Sequence, residues 1–223
     1  MDLIQDANLI VDCDEILVNI SPLWVKKLYA LKAELNEYID LDQFDKFIDN
    51  FDELNEYVIR RPVFYLTDWL KRKEIKELPK DIVDKIMGVY TEDKDFYYDL
   101  PLNKMAVSLN KFSRHPSVKK VYVVTRCSST INFKGKEELI KTLFPMTKLE
   151  IITLKIGEKK SDFIKHIDIK NGFIFEDELS NIMDYLNSGV CHCNFYIPKL
   201  GYNYPTKDLM ALASEKEICI SYY

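Results

Sequence analysis

A chain of 223 residues is long enough for one substantial domain, or for a core carrying an inserted subdomain. Hydrophobic residues at 47% and charged residues at 30% are ordinary for a globular protein, and 31 basic against 36 acidic side chains leave a net charge of −5, which disfavours a nucleic-acid polymer as partner. No apolar stretch approaches the roughly 20 residues that span a bilayer, so no membrane partner is expected, and the acidic start Met1-Asp2-Leu3-Ile4-Gln5-Asp6 is unlike a secretory signal, which makes cytoplasmic the expected location.

The first predicted strand is Leu9–Asp12, an apolar run that ends on Asp12-Cys13-Asp14. From about Ser21 to Arg114 the patterns are helical. Leu23, Trp24, Leu28, Leu31 and Leu35 form one stripe, Ile82, Val83, Ile86, Met87 and Tyr90 a second, and Leu102, Met105, Ala106, Leu109 and Phe112 a third. A βαβ crossover needs only one helix. Residues 21–109 are therefore expected to form a helical cap inserted into a core made of 1–20 and 110–223, lying over the carboxyl edge of the sheet as a lid. Within it, acidic Asp40–Glu56 reads as a solvated helical face and Arg60-Arg61 as solvated surface.

Beyond the helical segment, strands are predicted at Val121–Thr125, Leu149–Leu154, Gly172–Glu176, Asn194–Ile197 and Glu217–Ser221. Helical spacing of Leu139, Ile140, Leu143 and Phe144 is stopped by Pro145; Ser161–Lys165 reads as a short helix opened by Lys160, and Ser180–Leu186 as another, closed by Asn187-Ser188-Gly189. Short buried strands alternating with helices predict an α/β fold, a parallel sheet covered on both faces. The five cysteines are odd in number and irregular in spacing, which argues against a disulfide framework. Cys191-His192-Cys193 lacks a second pair at zinc-finger spacing and reads as a loop entering the next strand.

Ligands of an open parallel sheet bind beyond the carboxyl ends of its strands. Strands ending in Asp12, Thr125 and Glu176-Asp177 would aim all of these groups into one place. Phosphoryl transfer needs a nucleophile, neutralisation of the equatorial oxygens and a proton donor for the leaving oxygen. Asp12 suits the nucleophile. Asp14, two residues on, faces the same way in extended backbone and suits the general acid/base. Asp12, the main-chain carbonyl of Asp14, Glu176 and Asp177 offer hard oxygens for Mg²⁺. Thr125 with the amide of Arg126 can hold phosphate oxygens, and Lys160 can neutralise both phosphate and Asp12.

Together Asp12-Cys13-Asp14, Thr125, Lys160 and Glu176-Asp177 resemble the four signature motifs of the haloacid dehalogenase superfamily of phosphohydrolases. The resemblance spans nearly the whole chain and implies a Rossmann-like core, an Asp nucleophile, Mg²⁺ as cofactor and a cap of the first type. Two segments are similar, more narrowly, to the 5′(3′)-deoxyribonucleotidases: Phe96-Tyr97-Tyr98-Asp99-Leu100-Pro101 leading into a helix, and Phe195–Ile197 followed by the Tyr202-Asn203 loop. The sequence departs from the family pattern at Glu15 and Lys104, where Gly is usual, and at Arg126-Cys127-Ser128.

The resemblance implies a small phosphorylated substrate, with a nucleoside monophosphate foremost, and leaves a homodimer open. Trp24, Phe64, Tyr65, Trp69, Phe96, Tyr97 and Tyr98 are the aromatics available to stack on a base, and Phe96, Tyr97 and Tyr98, nearest the return to the core, are the expected substrate contacts. The alternatives are a phosphatase of another small metabolite and a catalytically idle binding protein that keeps the fold.

Overall fold

The computed structural model describes residues 6–145, 147–169, 171–190 and 193–223. Its framework is a six-stranded sheet in the order β3-β2-β1-β4-β5-β6, parallel throughout. The strands are β1 (Ala7–Val11), β2 (Val118–Arg126), β3 (Leu149–Leu154), β4 (Phe173–Phe175), β5 (Asn194–Ile197) and β6 (Cys219–Tyr222). Central β1 is buried along its whole length. Its alternating side chains serve both faces: Leu9 and Val11 join Val121, Val123, Phe173 and Phe175, whereas Ile10 joins Val124, Ile174 and Phe195. Strand addition reverses between β1 and β4, which makes the carboxyl ends of these two strands the place where a crevice opens. The expected α/β parallel-sheet class is the observed one.

Between β1 and β2 run α1 (Ile20–Tyr29), α2 (Lys32–Leu35), α3 (Phe51–Ile59), α4 (Leu66–Leu70), α5 (Lys80–Thr91) and α6 (Lys104–Ser113). The later helices are α7 (Thr130–Leu143), α8 (Lys160–Ile164), α9 (Leu179–Asn187) and α10 (Lys207–Glu215). The stripe expected to run unbroken from Leu23 to Leu35 divides. The Ala30 amide closes α1 on the Lys26 and Leu28 carbonyls, and the chain turns so that Leu28 and Leu35 are both wholly buried. Asp40–Glu56 is not one solvated face either. It holds a single 3₁₀ turn (Asp42–Phe44) and the start of α3, with Phe44 and Leu54 in the core and Asp42 and Asp45 paired with Lys32.

The two ends of the helical segment meet. Val18 pairs antiparallel with Leu102, the Asn103 amide donates to the Leu17 carbonyl at 2.8 Å, and the Asn103 side chain donates to the Glu15 carbonyl while accepting from the Met105 amide as N-cap of α6. Residue 109 lies inside α6, which packs on β2. No helix of the described residues is long and apolar enough to cross a membrane. Residues 1–5, on which the reading of the acidic start rests, and the pair Cys191-His192 lie outside the described residues.

Candidate active site

Asp12 is the first residue past β1. Its amide donates to the Phe175 carbonyl at 3.0 Å, and the Glu176 amide donates to the Tyr196 carbonyl at 3.1 Å, so the ladders continue one step beyond the strands and bring both acids off adjacent rows. Ligand oxygens of Asp12, Glu176 and Asp177 all lie within 4.8 Å of one another. Lys160, the first residue of α8, reaches Asp12 Oδ1 at 2.9 Å and Glu176 Oε2 at 2.8 Å from a buried position. Neighbours also hold oxygens of all three acids. The Asn181 side chain and the Glu178 amide donate to Glu176 Oε1, the Cys13 amide to Asp12 Oδ1, and the Tyr202 hydroxyl to Asp177 Oδ2 at 2.6 Å.

Three acids converge, and one ammonium pairs with two of them, Asp12 and Glu176. Burial pushes the Glu176 carboxyl up; Lys160 pulls it back and Asp12 adds to the rise. Burial, Asp12 and Glu176 together hold Asp177 well above the usual carboxylate range. Burial opposes the charge of Lys160, but Asp12 and Glu176 outweigh it and raise that group. The donor set is all oxygen and short of positive charge, which fits a hard divalent cation such as Mg²⁺ held by Asp12, Glu176 and Asp177. The Asp14 carboxylate lies outside this triad, so its expected share in the metal site would be the main-chain carbonyl.

A stability measurement follows from these shifts. Carboxyls with raised folded pKa bind more protons folded than unfolded, so metal-free stability is present below pH 4.5, the ordinary Glu value, and is lost as pH rises towards neutrality. Mg²⁺ should reverse the loss. At about a hundredfold excess over Kd the melting temperature should rise by about 5–10 °C near neutral pH, with a much smaller rise at about pH 4.5, where protons compete for the same oxygens. Thermal scans with EDTA and with Mg²⁺ at the two pH values check this; equal shifts would place the cation elsewhere.

Asp14 belongs to a polar cluster of its own. Lys136 Nζ donates to Asp14 Oδ2 at 2.6 Å, Tyr90 donates to the same oxygen at 3.3 Å, and Tyr97 donates to Oδ1 at 3.1 Å. Thr125 is buried at the end of β2, its hydroxyl 3.1 Å from Lys136 Nζ. The Arg126 side chain turns away, to Glu178, Asn181 and the Glu158 carbonyl, while its own carbonyl accepts from Lys136. Of the expected substrate aromatics, Phe96 is 0% exposed and packs edge-on against Tyr90 and Tyr97. It offers no face to a ligand, which corrects that expectation. Tyr97 is buried with its hydroxyl on Asp14, and only Tyr98, 59% exposed, faces outward.

No family model matches the sequence, and no curated protein does. Among solved structures, a haloacid dehalogenase-like hydrolase from Burkholderia xenovorans superposes with a TM-score of 0.51, covering 98% of this chain and 95% of that one at 11% identity. The fold is that of a haloacid dehalogenase-like hydrolase. A haloacid dehalogenase-superfamily hydrolase of subfamily IA from Geobacter sulfurreducens gives 0.48 at 12% identity, covering 93% and 96% of the two chains. A phosphoserine phosphatase in its apo form gives 0.40 at 14%, covering 97% and 94%.

On this haloacid dehalogenase-like fold, further side chains that the sequence did not single out as site residues reach the acids, among them Lys136, Tyr90, Asn181, Arg61 and Tyr202. Arg61 is not solvated surface. It is 3% exposed, its guanidinium lies 4.5 Å over the Tyr202 ring and 3.7 Å from buried Glu15, and only Arg60 faces solvent. Glu15 occupies the left-handed region at φ 59°, where Gly is the usual residue. Its carboxylate is held by the Ser21 hydroxyl and amide beside Arg61, although burial pushes its pKa up. The backbone after Arg60 presses on the loop carrying Tyr202: a Cβ on Gly201 would stand 2.2 Å from the Arg60 carbonyl oxygen, and the Gly201 amide donates to Ile59. Asn203 completes the loop by donating to the Asp177 carbonyl. Lys136 had a faint sequence signal, since it precedes Ile140 and Leu143 by four and seven residues and so shares their buried stripe.

Proposed function

We propose that this chain is a Mg²⁺-dependent phosphomonoesterase in which Asp12 is the nucleophile. The observation that carries the reading is the convergence of Asp12, Glu176 and Asp177 within 4.8 Å, with Lys160 bridging Asp12 and Glu176. An Asp12 carboxylate oxygen attacks phosphorus and the ester P–O bond breaks, its electron pair leaving with the alkoxide, which takes a proton from Asp14. Asp14 then removes a proton from water, the resulting oxygen attacks the aspartyl-phosphate, and orthophosphate leaves with Asp12 restored. Lys160 offsets negative charge on Asp12 and on the phosphoryl oxygens, one of which the Thr125 hydroxyl would hold. Bound Mg²⁺ would supply further neutralisation of the phosphoryl oxygens and the acids.

The finer reading is a 5′-deoxyribonucleotidase acting on nucleoside monophosphates. Its support is the pair of segments similar to that family, one of which carries Tyr202 and Asn203 against Asp177. A stacking surface is better sought at Phe64 and Tyr65 than at Phe96. Phe64 packs 5.3 Å from the Tyr202 ring, and Tyr65 beside it is 61% exposed. Base–aromatic stacking contributes about 1–3 kcal/mol, so Tyr65→Ala should cut kcat/KM for nucleotides by roughly 5–150-fold and spare a small aryl phosphate. A panel of nucleoside monophosphates and sugar phosphates, with and without Mg²⁺, tests both levels. Sugar phosphates outrunning every nucleotide would favour a phosphatase of another small metabolite; no turnover of any ester would favour an idle binding protein.

A further inference from the structure

We propose that Lys136 is a positioning residue for Asp14, fixing the carboxylate that moves protons in the phosphomonoesterase reaction, on whose assignment this inference rests. A lysine ammonium has three N–H donors and no acceptor. All three are matched here: Asp14 Oδ2 at 2.6 Å, the Arg126 carbonyl at 2.7 Å and the Thr125 hydroxyl at 3.1 Å. The side chain is wholly buried. No donor is left for a substrate, so Lys136 acts through Asp14 and does not touch the reacting atoms.

The need for such a clamp lies in the local backbone. Asp14 lies beyond the end of β1, in a single isolated bridge with Val18 and followed by Glu15 in the left-handed region, and that backbone pairing does not set the direction of its side chain. Lys136 ties it to the end of β2, where Thr125 is placed, so the proton-moving group and the phosphate-holding group share one anchor. The ammonium also lies 5.5 Å over the Tyr97 ring, whose hydroxyl takes the other Asp14 oxygen. Gly135 permits the approach: a Cβ there would stand 3.1 Å from that ring. Proton transfer needs heavy atoms about 2.6–3.2 Å apart, and a 1 Å misplacement can cost about 10²-fold in rate.

The test is a kinetic cycle on the full chain with Mg²⁺ and a small aryl phosphate, combining Lys136→Met with Asp14→Asn. Lys136→Met should lower kcat by about 10²-fold with KM little changed, and should cause no further loss once Asp14 is Asn. Tyr97→Phe removes one hydroxyl and keeps the ring, so it reads the same clamp if Lys136→Met fails to fold. It should cost about tenfold in kcat, again only while Asp14 is present. In an active enzyme, equal losses in both Asp14 backgrounds, or a raised KM at unchanged kcat, would overturn the assignment of Lys136 alone. A wild type inert toward every phosphate ester would overturn the phosphomonoesterase reading, and this proposal with it.

Discussion

Asp12→Asn should lower hydrolysis of any phosphate ester by roughly 10⁴–10⁶-fold, the scale on which nucleophile removal acts in covalent catalysis. The substitution keeps the size of the side chain and one oxygen, so the amide contact from Cys13 and the packing at the end of β1 can persist. What it removes is the attacking charge and half of the pairing for Lys160, which retains Glu176 at 2.8 Å. A rate assay alone would not separate a lost nucleophile from a disturbed site. Acid-quenching the reaction with phosphorus-labelled substrate does: label should remain on the wild-type chain as the aspartyl-phosphate and be absent from the variant. Label carried by Asp12→Asn, or activity untouched by EDTA, would remove Asp12 and the cation from the mechanism proposed here.

The strands and their acids were readable because each is a local fact. Leu9-Ile10-Val11 and Phe173-Ile174-Phe175 are apolar without interruption, as strands buried on both faces must be, and each stops where the next side chain is a carboxylate. Lys160 was readable for the same reason, as the residue that opens a short helix. Contacts between distant segments left no such trace. Arg60 and Arg61 look alike in a sequence, yet one is solvated and the other sits between Glu15 and Tyr202, residues 46 and 141 positions away in either direction. Phe96, Tyr97 and Tyr98 read as one aromatic surface, but the turn that carries them sends the first into the core, the second onto Asp14 and the third outward. Only the fold decides which of three adjacent rings meets a ligand, because burial there depends on α5 and α7, which neighbour the turn in space.

Asp14→Asn should lower kcat by about 10²–10⁴-fold, the usual share of general acid–base catalysis. The loss should depend on the leaving group. An alkyl phosphate expels a strongly basic alkoxide that needs a proton as the P–O bond breaks, whereas a nitrophenolate leaves without one. Asp14→Asn should therefore slow formation of the aspartyl-phosphate far more for alkyl esters than for nitrophenyl phosphate. Its breakdown, in which Asp14 would activate water, should slow equally for both. With the nitrophenyl ester the labelled intermediate should then accumulate in the variant, and with the alkyl ester it should not. Mg²⁺ should still stabilise the variant against heat, because the Asp14 carboxylate is engaged by Lys136, Tyr90 and Tyr97 and stands apart from the Asp12, Glu176 and Asp177 oxygens. A variant that loses its response to Mg²⁺ but keeps its metal-saturated rate would move Asp14 from proton transfer to metal binding. A loss independent of the leaving group, with no trapped intermediate, would leave the proton to another donor.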